Sequence, residues 1–459
     1  MSTIAATAAH AIATDRQGAI MLNWFRELSG TERKGFYGAF LGHAVDVFDF
    51  MIYSFLISTL LTQWGMSKSM AGAIVTWTLV SSLVGAIGAG ILADRYGRVR
   101  VLRWTIVVFA VSCFLCGLAS SPEQLMAFRM LQGLGFGGES SLCMVLVTEM
   151  IRNPEHRGKY SGFTASSYSF GWGAAALAYA ITFQLFPAET AWRVCFFLGI
   201  LPALVVIYLR RNLQEPEVFL KARAEAGRRS ALHDLGRLFR RPLLGKTVLC
   251  SLLSGGMLGA YYAIATWLPT FLKTERGLSV FGTSSYLAMT IAGSLVGYVA
   301  GAYATDRWGR RLTYIAFAAG AFVMALIYMV IPVSNTSMLF LGFPLGVLMQ
   351  GVFAGIGATI SESYPNDIRA TGYGVSYNVG RVIGSFFPLS VGALSSGRTT
   401  LALAIAIVAG VGYALVFIAA LLLPETRGMD LADAGDESGR DDVRATGLQA
   451  GTPTVGRAA

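Results

Sequence analysis

Charge is what this chain has least of: Asp, Glu, Lys and Arg make up 14% of its 459 residues, against about 25% in a soluble globular domain. Hydrophobic residues reach 54% and the mean hydropathy is +0.57. An ordinary water-solvated globule is excluded, and most of the chain must be solvated by lipid. Histidine and cysteine are scarce too, at four and five residues. Cys113, Cys116, Cys143, Cys195 and Cys250 all lie in apolar stretches, not in the polar loops where an oxidised staple would sit. Cys113 and Cys116 form a C-x-x-C pair, but no second Cys or His pair completes a tetrahedral metal site, so they read as small packing residues. No spaced His/Asp/Glu cluster, nucleophile triad or P-loop is present, which argues against an enzyme, against a resident cofactor and against ATP-driven transport by this chain alone. The first 35 residues hold no apolar run of signal-peptide length.

Glycine, by contrast, is plentiful at 53 residues. In lipid it lets helix backbones approach closely, which is where association energy is found when water cannot supply it. Predominantly apolar runs long enough to cross about 30 Å of hydrocarbon fall near 36–61, 70–93, 102–120, 124–150, 160–186, 192–209, 245–272, 280–304, 313–332, 337–361, 369–395 and 400–423. These twelve predict an all-α integral membrane protein. With both termini inside, the inner loops and tails hold 29 of the 36 Lys and Arg, the outer loops five (Lys68, Arg193, Lys273, Arg276, Arg398), and the spans two (Arg129, Arg381). That asymmetry fixes the topology, so the net charge of +10 is an orientation signal and not a nucleic-acid footprint. The expected organisation is a cytoplasmic tail over 1–35, a six-helix bundle over 36–209, a basic cytoplasmic linker over 210–244, a second bundle over 245–423 and a disordered tail over 424–459.

Two signatures recur at one offset. Gly90-Ile-Leu-Ala-Asp94-Arg95-Tyr-Gly97-Arg98 follows the second run, and Gly301-Ala-Tyr-Ala-Thr-Asp306-Arg307-Trp-Gly309-Arg310-Arg311 follows the eighth, with the Asp residues 212 positions apart. Glu149 with Pro154 and Arg157-Gly158 after the fourth run is matched by Glu362 with Pro365 and Arg369-Ala370 after the tenth. Repetition across the linker implies two related halves with a cavity between them near mid-bilayer. Together with the closing Pro424-Glu425-Thr426-Arg427-Gly428, these elements resemble the major facilitator superfamily over nearly the whole chain. The resemblance implies rocker-switch alternating access, with the first, fourth, seventh and tenth spans lining much of the path. Physically, Asp94, Arg95, Arg98, Glu149, Arg157, Asp306, Arg307, Arg310, Glu362 and Arg369 read as cytoplasmic latches that pair in one conformation and release in another; the alternative is topology-fixing charge alone.

An ionisable group at bilayer depth is expected to face protein or water and to have a partner. His43, Asp46 and Asp49 lie at spacings of three in the first span, with Phe50 and Tyr53 continuing that face. The fourth span carries Arg129, Gln132 and Glu139, and the eleventh carries Arg381 one turn after Tyr377 and Asn378. At about 1.5 Å per residue, Asp49 is roughly 20 Å from the inner end of its span and Arg129 roughly 8 Å from the outer end of its own, so the two can pair. Asp46, Asp49 and Glu139 are the proton-coupling candidates, because neighbouring acids in lipid cannot all ionise cheaply. Arg129 reads either as a helix brace or as a substrate contact, and Glu139 either as a proton site or as a structural hydrogen bonder. Arg381 reads as the substrate anchor, since no acid lies in the spans of its own half; the other reading is a pair with Asp46 or Glu139 across the halves. Gln132, Tyr377 and Asn378 accompany the two arginines as substrate contacts, and Tyr168, Trp172, Tyr261 and Tyr262 are candidate pocket walls.

The string Gly42-His43-Ala-Val-Asp46-Val-Phe-Asp49-Phe50 is similar to the acid-aromatic-aspartate motif of metabolite:proton and sialate:proton symporters, although Asp46-Val47 stands where the metabolite group has Glu-Trp. Trp192-Arg193 and Tyr377-Asn378-Val-Gly380-Arg381 resemble the sialate and monocarboxylate branch. The expectation is proton-coupled import of a small organic carboxylate by a monomer in the plasma membrane, needing only the proton gradient and surrounding lipid. The alternatives are import of a neutral or zwitterionic solute, export of organic compounds, and a non-transporting receptor.

Overall fold

A computed structural model describes residues 30–150, 154–210, 236–241, 243–365 and 368–427. Among them every regular element is helical, as expected where only intra-helix bonds can satisfy the backbone in hydrocarbon. The helices are α1 (Gly30–Trp64), α2 (Lys68–Tyr96), α3 (Arg98–Leu118), α4 (Pro122–Met150), α5 (Pro154–Leu185), α6 (Ala188–Leu198), α7 (Ile200–Arg210), α8 (Leu243–Thr274), α9 (Val280–Trp308), α10 (Arg310–Met329), α11 (Asn335–Gly351), α12 (Ile356–Glu362), α13 (Arg369–Ser385), α14 (Phe387–Ser395) and α15 (Leu401–Leu422). Among the described residues, nine are long and apolar enough to cross a bilayer, taking α6–α7 and α11–α12 each as one. The helices α4 and α5 and the α13–α14 pair carry the remaining apolar runs. Ser67, Ser279, Ser334 and Thr400 each accept a backbone N–H of the helix they precede, the Ser/Thr cap that satisfies an orphan donor.

Three apolar runs that read as continuous in sequence are broken. Gly199 separates α6 from α7 and gives its N–H to Phe196 O at 3.1 Å; residues 352–355 turn between α11 and α12; α13 stops at Phe386, just before Pro388, which has no N–H to continue the ladder. Carbonyls near this last break find other donors: Thr76 Oγ1 gives to Ser385 O at 2.6 Å and Trp267 Nε1 to Pro388 O at 3.0 Å.

Helices α1 to α7 pack chiefly on one another, and so do α8 to α15. In the first group α4 lies against α1, α2 and α3, and α1 against α5; in the second α9 lies on α11, and α8 on α13 and α15. The α2–α4 and α9–α11 pairs occupy corresponding places and both close on glycine. A Cβ at Gly85, Gly133 or Gly137 in one, or at Gly293, Gly297, Gly301 or Gly346 in the other, would run into the backbone of the facing helix. The groups meet through α1 with α8, α2 with α13 and α14, and α5 with α9. Besides Thr76, the contact is stitched by Lys68 Nζ to Ser395 O at 3.3 Å, Lys273 Nζ to Thr59 Oγ1 at 3.3 Å and Ser169 Oγ with Ser294 Oγ at 2.9 Å.

The repeated Gly-Arg loops have a backbone cause. Gly97 and Gly309 sit at φ +109° and +89° with extended ψ, a region essentially closed to side-chain-bearing residues, and each begins a helix with no side-chain cap of its own. At α10 the missing cap comes from far along the chain: Glu425 Oε1 accepts from Arg310 N at 2.9 Å and Oε2 from Arg311 N at 3.0 Å. Partial burial pushes this carboxyl up, but the backbone N–H groups of Arg310, Arg311, Arg427 and Thr426 together outweigh it and hold Glu425 below the usual range. The tail expected from 424 therefore keeps its first residues, Pro424 to Arg427, folded against the second group; 428–459 lie outside the described residues.

Candidate functional site between the helix groups

Two buried arginines organise the centre. Arg129 on α4 is fully buried. Its Nη1 donates to Asp49 O and to Gln132 Oε1, both at 2.9 Å, and its Nη2 to Phe50 O at 3.4 Å. The guanidinium also lies over the Tyr53 ring, 4.9 Å from its centroid. Arg129 and Asp49 thus meet, as depth predicts, but through the Asp49 backbone carbonyl and not its carboxylate. The carboxylate turns instead to α3, where Cys113 Sγ donates to Oδ1 at 3.3 Å. Cys113 is therefore more than the packing residue its apolar surroundings suggest. Glu139, also fully buried, accepts from Thr105 Oγ1 of α3 and from Cys143 Sγ, both at 3.2 Å. Asp46 is fully buried on α1.

Arg381 on α13 has a different setting. It is 8% exposed and lies over the ring of Phe136 from α4, 4.9 Å from the centroid. It interacts electrostatically with His43 of α1, Tyr262 of α8 and Tyr377 of its own helix. Among the described residues it forms no ion pair, so neither cross-half pair weighed from sequence is present there. Around it runs a chain of rings. Phe136 stacks on Phe50 at 5.6 Å and Phe50 meets Tyr262 edge-on at 5.9 Å. Tyr261 meets Tyr168, Trp172 and Phe353 at 5.6, 6.2 and 5.7 Å, and Tyr373 stacks on Tyr377 at 5.8 Å. Polar atoms punctuate this wall: His43 Nδ1 lies 2.7 Å from Ser167 Oγ, Gln350 Nε2 donates to Tyr298 OH at 2.6 Å, and Trp172 Nε1 has no hydrogen-bond partner among the described residues. The arrangement sets one cation among aromatic faces and a few hydrogen-bonding groups.

Phe136, Tyr298, Gln350 and Phe353 join the site without having been picked out in sequence, where nothing separates them from other apolar-run residues. Asn378 bends back, donating to Gly374 O at 2.8 Å. Gln132 holds Arg129. A separate apolar cleft of about 200 Å³ lies on another face of α13, lined by Thr247, Ser251, Val375, Val379 and Ile383 among others, and belongs to neither arginine.

Of the latch residues, Arg310 forms a two-point bond with Glu362 at 2.9 and 3.2 Å, and Glu362 also takes the Thr426 hydroxyl. Asp306 reaches Arg310 only at 3.9 Å with its side chain 83% exposed, a geometry worth little. Arg307 is exposed, Arg95 lies over the Tyr96 ring at 5.4 Å, Arg98 is half-buried at the start of α3, and Arg369 Nε donates to Tyr364 O at 3.4 Å. The described Arg310–Glu362 pair joins α10 to α12 within one helix group. The side chains of Asp94, Glu149 and Arg157 lie outside what the structure describes.

Comparison with known proteins agrees with this architecture. A solved D-xylose–proton symporter superposes with a TM-score of 0.73 over 87% of this chain and all of its own, at 18% identity. A probable 4-methylmuconolactone transporter of Cupriavidus pinatubonensis is 37% identical over 91% of this chain and 96% of its own, and a cis,cis-muconate transport protein of Acinetobacter baylyi is 28% identical over 80% and 89%. The model of the Major Facilitator Superfamily matches residues 39–388. A multi-pass membrane transporter and not an enzyme, the chain belongs to the Major Facilitator Superfamily.

Proposed function

We propose that this protein imports a small, planar, unsaturated organic carboxylate together with a proton, by alternating access between two six-helix bundles over residues 36–209 and 245–423. Twelve spans, taking each broken pair as one, leave both termini in the cytoplasm, and the basic stretch 210–244 links the bundles there. The carrying observation is Arg381: a guanidinium among aromatic rings with no ion pair among the described residues calls for an anion. The ring chain narrows that anion to one with flat apolar faces, in keeping with the muconate and muconolactone named for the relatives.

In the cycle, a proton from outside loads one acid of the first bundle, Asp49 in our assignment with Asp46 and Glu139 as its companions, and the carboxylate docks on Arg381 with Tyr377 and Asn378 beside it. Rocking then exposes both to the cytoplasm. The bonds of Lys68, Lys273 and Thr76 across the groups lie toward the outer ends of their helices, so they form the outer seal that opens to admit substrate. The Arg310–Glu362 pair, with Arg307, Asp306, Arg369 and their first-half counterparts Asp94, Arg95, Arg98, Glu149 and Arg157, steadies the inner ends. The carrier acts as a monomer embedded in lipid.

Purified protein in liposomes with an inward proton gradient is expected to accumulate a muconate-like carboxylate, to alkalinise the outside on substrate addition, and to lose accumulation with a protonophore. Accumulation of a sugar or betaine in preference to every carboxylate tested, or uptake indifferent to the gradient, would overturn the reading.

A further inference from the structure

The Asp49 carboxyl group occupies a seat made by backbone. The Phe196 carbonyl at the α6–α7 break lies 3.1 Å from Cys113 Sγ and also accepts the Gly199 N–H at 3.1 Å. Cys113 Sγ is 3.3 Å from Asp49 Oδ1 on its other side. One thiol hydrogen therefore faces two acceptors. A Cβ on Gly199 would collide with Asp49 Oδ1 and come within 2.8 Å of both Asp49 Cγ and Cys113 Sγ, so only glycine leaves the carboxyl its place. Asp49 Oδ2 is fully buried and has no hydrogen-bond partner among the described residues. Arg129 from α4 and Cys113 and Cys116 from α3 stand around the carboxyl, Asp46 and Tyr53 lie one turn away on α1 itself, and the α6–α7 junction contributes Gly199 and the Phe196 carbonyl.

We propose that Gly199 and Cys113 are positioning residues for proton exchange at Asp49: the glycine keeps the carboxyl seated out of hydrogen-bond contact with Arg129, and the thiol hydrogen turns between carboxylate and Phe196 carbonyl as the proton comes and goes. With Asp49 ionised, the S–H donates to Oδ1. With a proton on Oδ2 the carboxyl is neutral and the S–H turns to Phe196 O, so loading is felt at the α6–α7 junction. No bond to sulfur forms or breaks; the proton enters and leaves at Oδ2. The inference rests on the assignment of Asp49 as the coupling acid.

The test is initial uptake against outside pH in proteoliposomes at fixed membrane potential. Gly199→Ala pushes the carboxyl off its seat toward Arg129, and the alkaline fall-off of uptake is expected to move down by roughly one pH unit, as a nearer opposite charge dictates. Cys113→Ala removes a donor to the ionised form and is expected to move the fall-off up, while Cys113→Ser keeps it in place. Shifts of opposite sign are not what simple destabilisation produces, and the Cys113 pair carries the test if Gly199→Ala does not fold. If Asp49→Asn still couples uptake to the gradient, the assignment of Asp49 fails and the inference with it. If Asp49→Asn uncouples while Gly199→Ala and Cys113→Ala only lower uptake with the fall-off unmoved, the inference alone is overturned.

Discussion

Arg129 and Arg381 are the same side chain at bilayer depth in corresponding halves, yet the protein treats them in opposite ways. Arg129 spends its donors on two carbonyls of α1 and on Gln132, with a tyrosine ring beneath. Arg381 has an aromatic ring below it, tyrosine and histidine neighbours and no ion pair among the described residues. Arg129, with both Nη atoms given to its own chain, holds helices together; Arg381, left beside rings, is the one proposed above to take a guest. The sequence already separates them in part, since Arg129 shares its span with Glu139 and reads as brace or substrate contact, whereas no acid lies in the spans of Arg381's half.

The sharpest way to break this contrast is to remove each cation in turn. Arg129→Gln strands the Asp49 and Phe50 carbonyl contacts and is expected to lower stability by about 3–5 kcal/mol, the scale seen when one partner of a buried charged cluster is removed; thermal unfolding of the purified protein reports it. A variant that melts like the parent would mean the brace is idle. Arg381→Gln is expected to leave the melting temperature of the empty protein nearly unchanged while weakening carboxylate binding about 10- to 100-fold, the equivalent of one charged hydrogen bond. Ligand-induced thermal shift measures it, and unaltered affinity would return Arg381 to a structural role. The smallest effect is expected at the surface. Glu425→Gln removes a charged cap from α10, worth about 0.3–1 kcal/mol. Because the folded Glu425 carboxyl sits below its usual range, the parent's advantage over this variant is present above the ordinary carboxylate pKa and fades as pH falls through the depressed one. Chemical unfolding of both proteins at pH 7 and at pH 3 tests that sign.

Much of the architecture was legible in the chain. Lipid allows little besides helix, so apolar length alone marks where helices run, and each expected run carries helix in the structure. The repeated Gly-Arg loops announced two related halves because a positive φ at Gly97 and Gly309 can be met by almost nothing else. The breaks at Gly199 and 352–355 leave no mark in hydropathy, which has no term for a turn inside an apolar run, whereas the one at Phe386 was announced by Pro388. The site was half legible. Asp49, Arg129 and Arg381 stood out because charge in lipid is conspicuous. Phe136, Gln350 and Cys113 did not, because their roles depend on what another helix brings against them. Depth brought Asp49 and Arg129 together correctly but could not tell a carbonyl from a carboxylate on the same residue.

The glycine-closed pairs α2–α4 and α9–α11 carry a mechanical consequence. At seven crossing points the facing backbones touch with no room for even a methyl group, so neither helix of a pair can slide or roll against its mate without prying the whole contact apart. Each pair is a welded girder. A movement that uncovers the middle of the molecule swings those girders as intact beams.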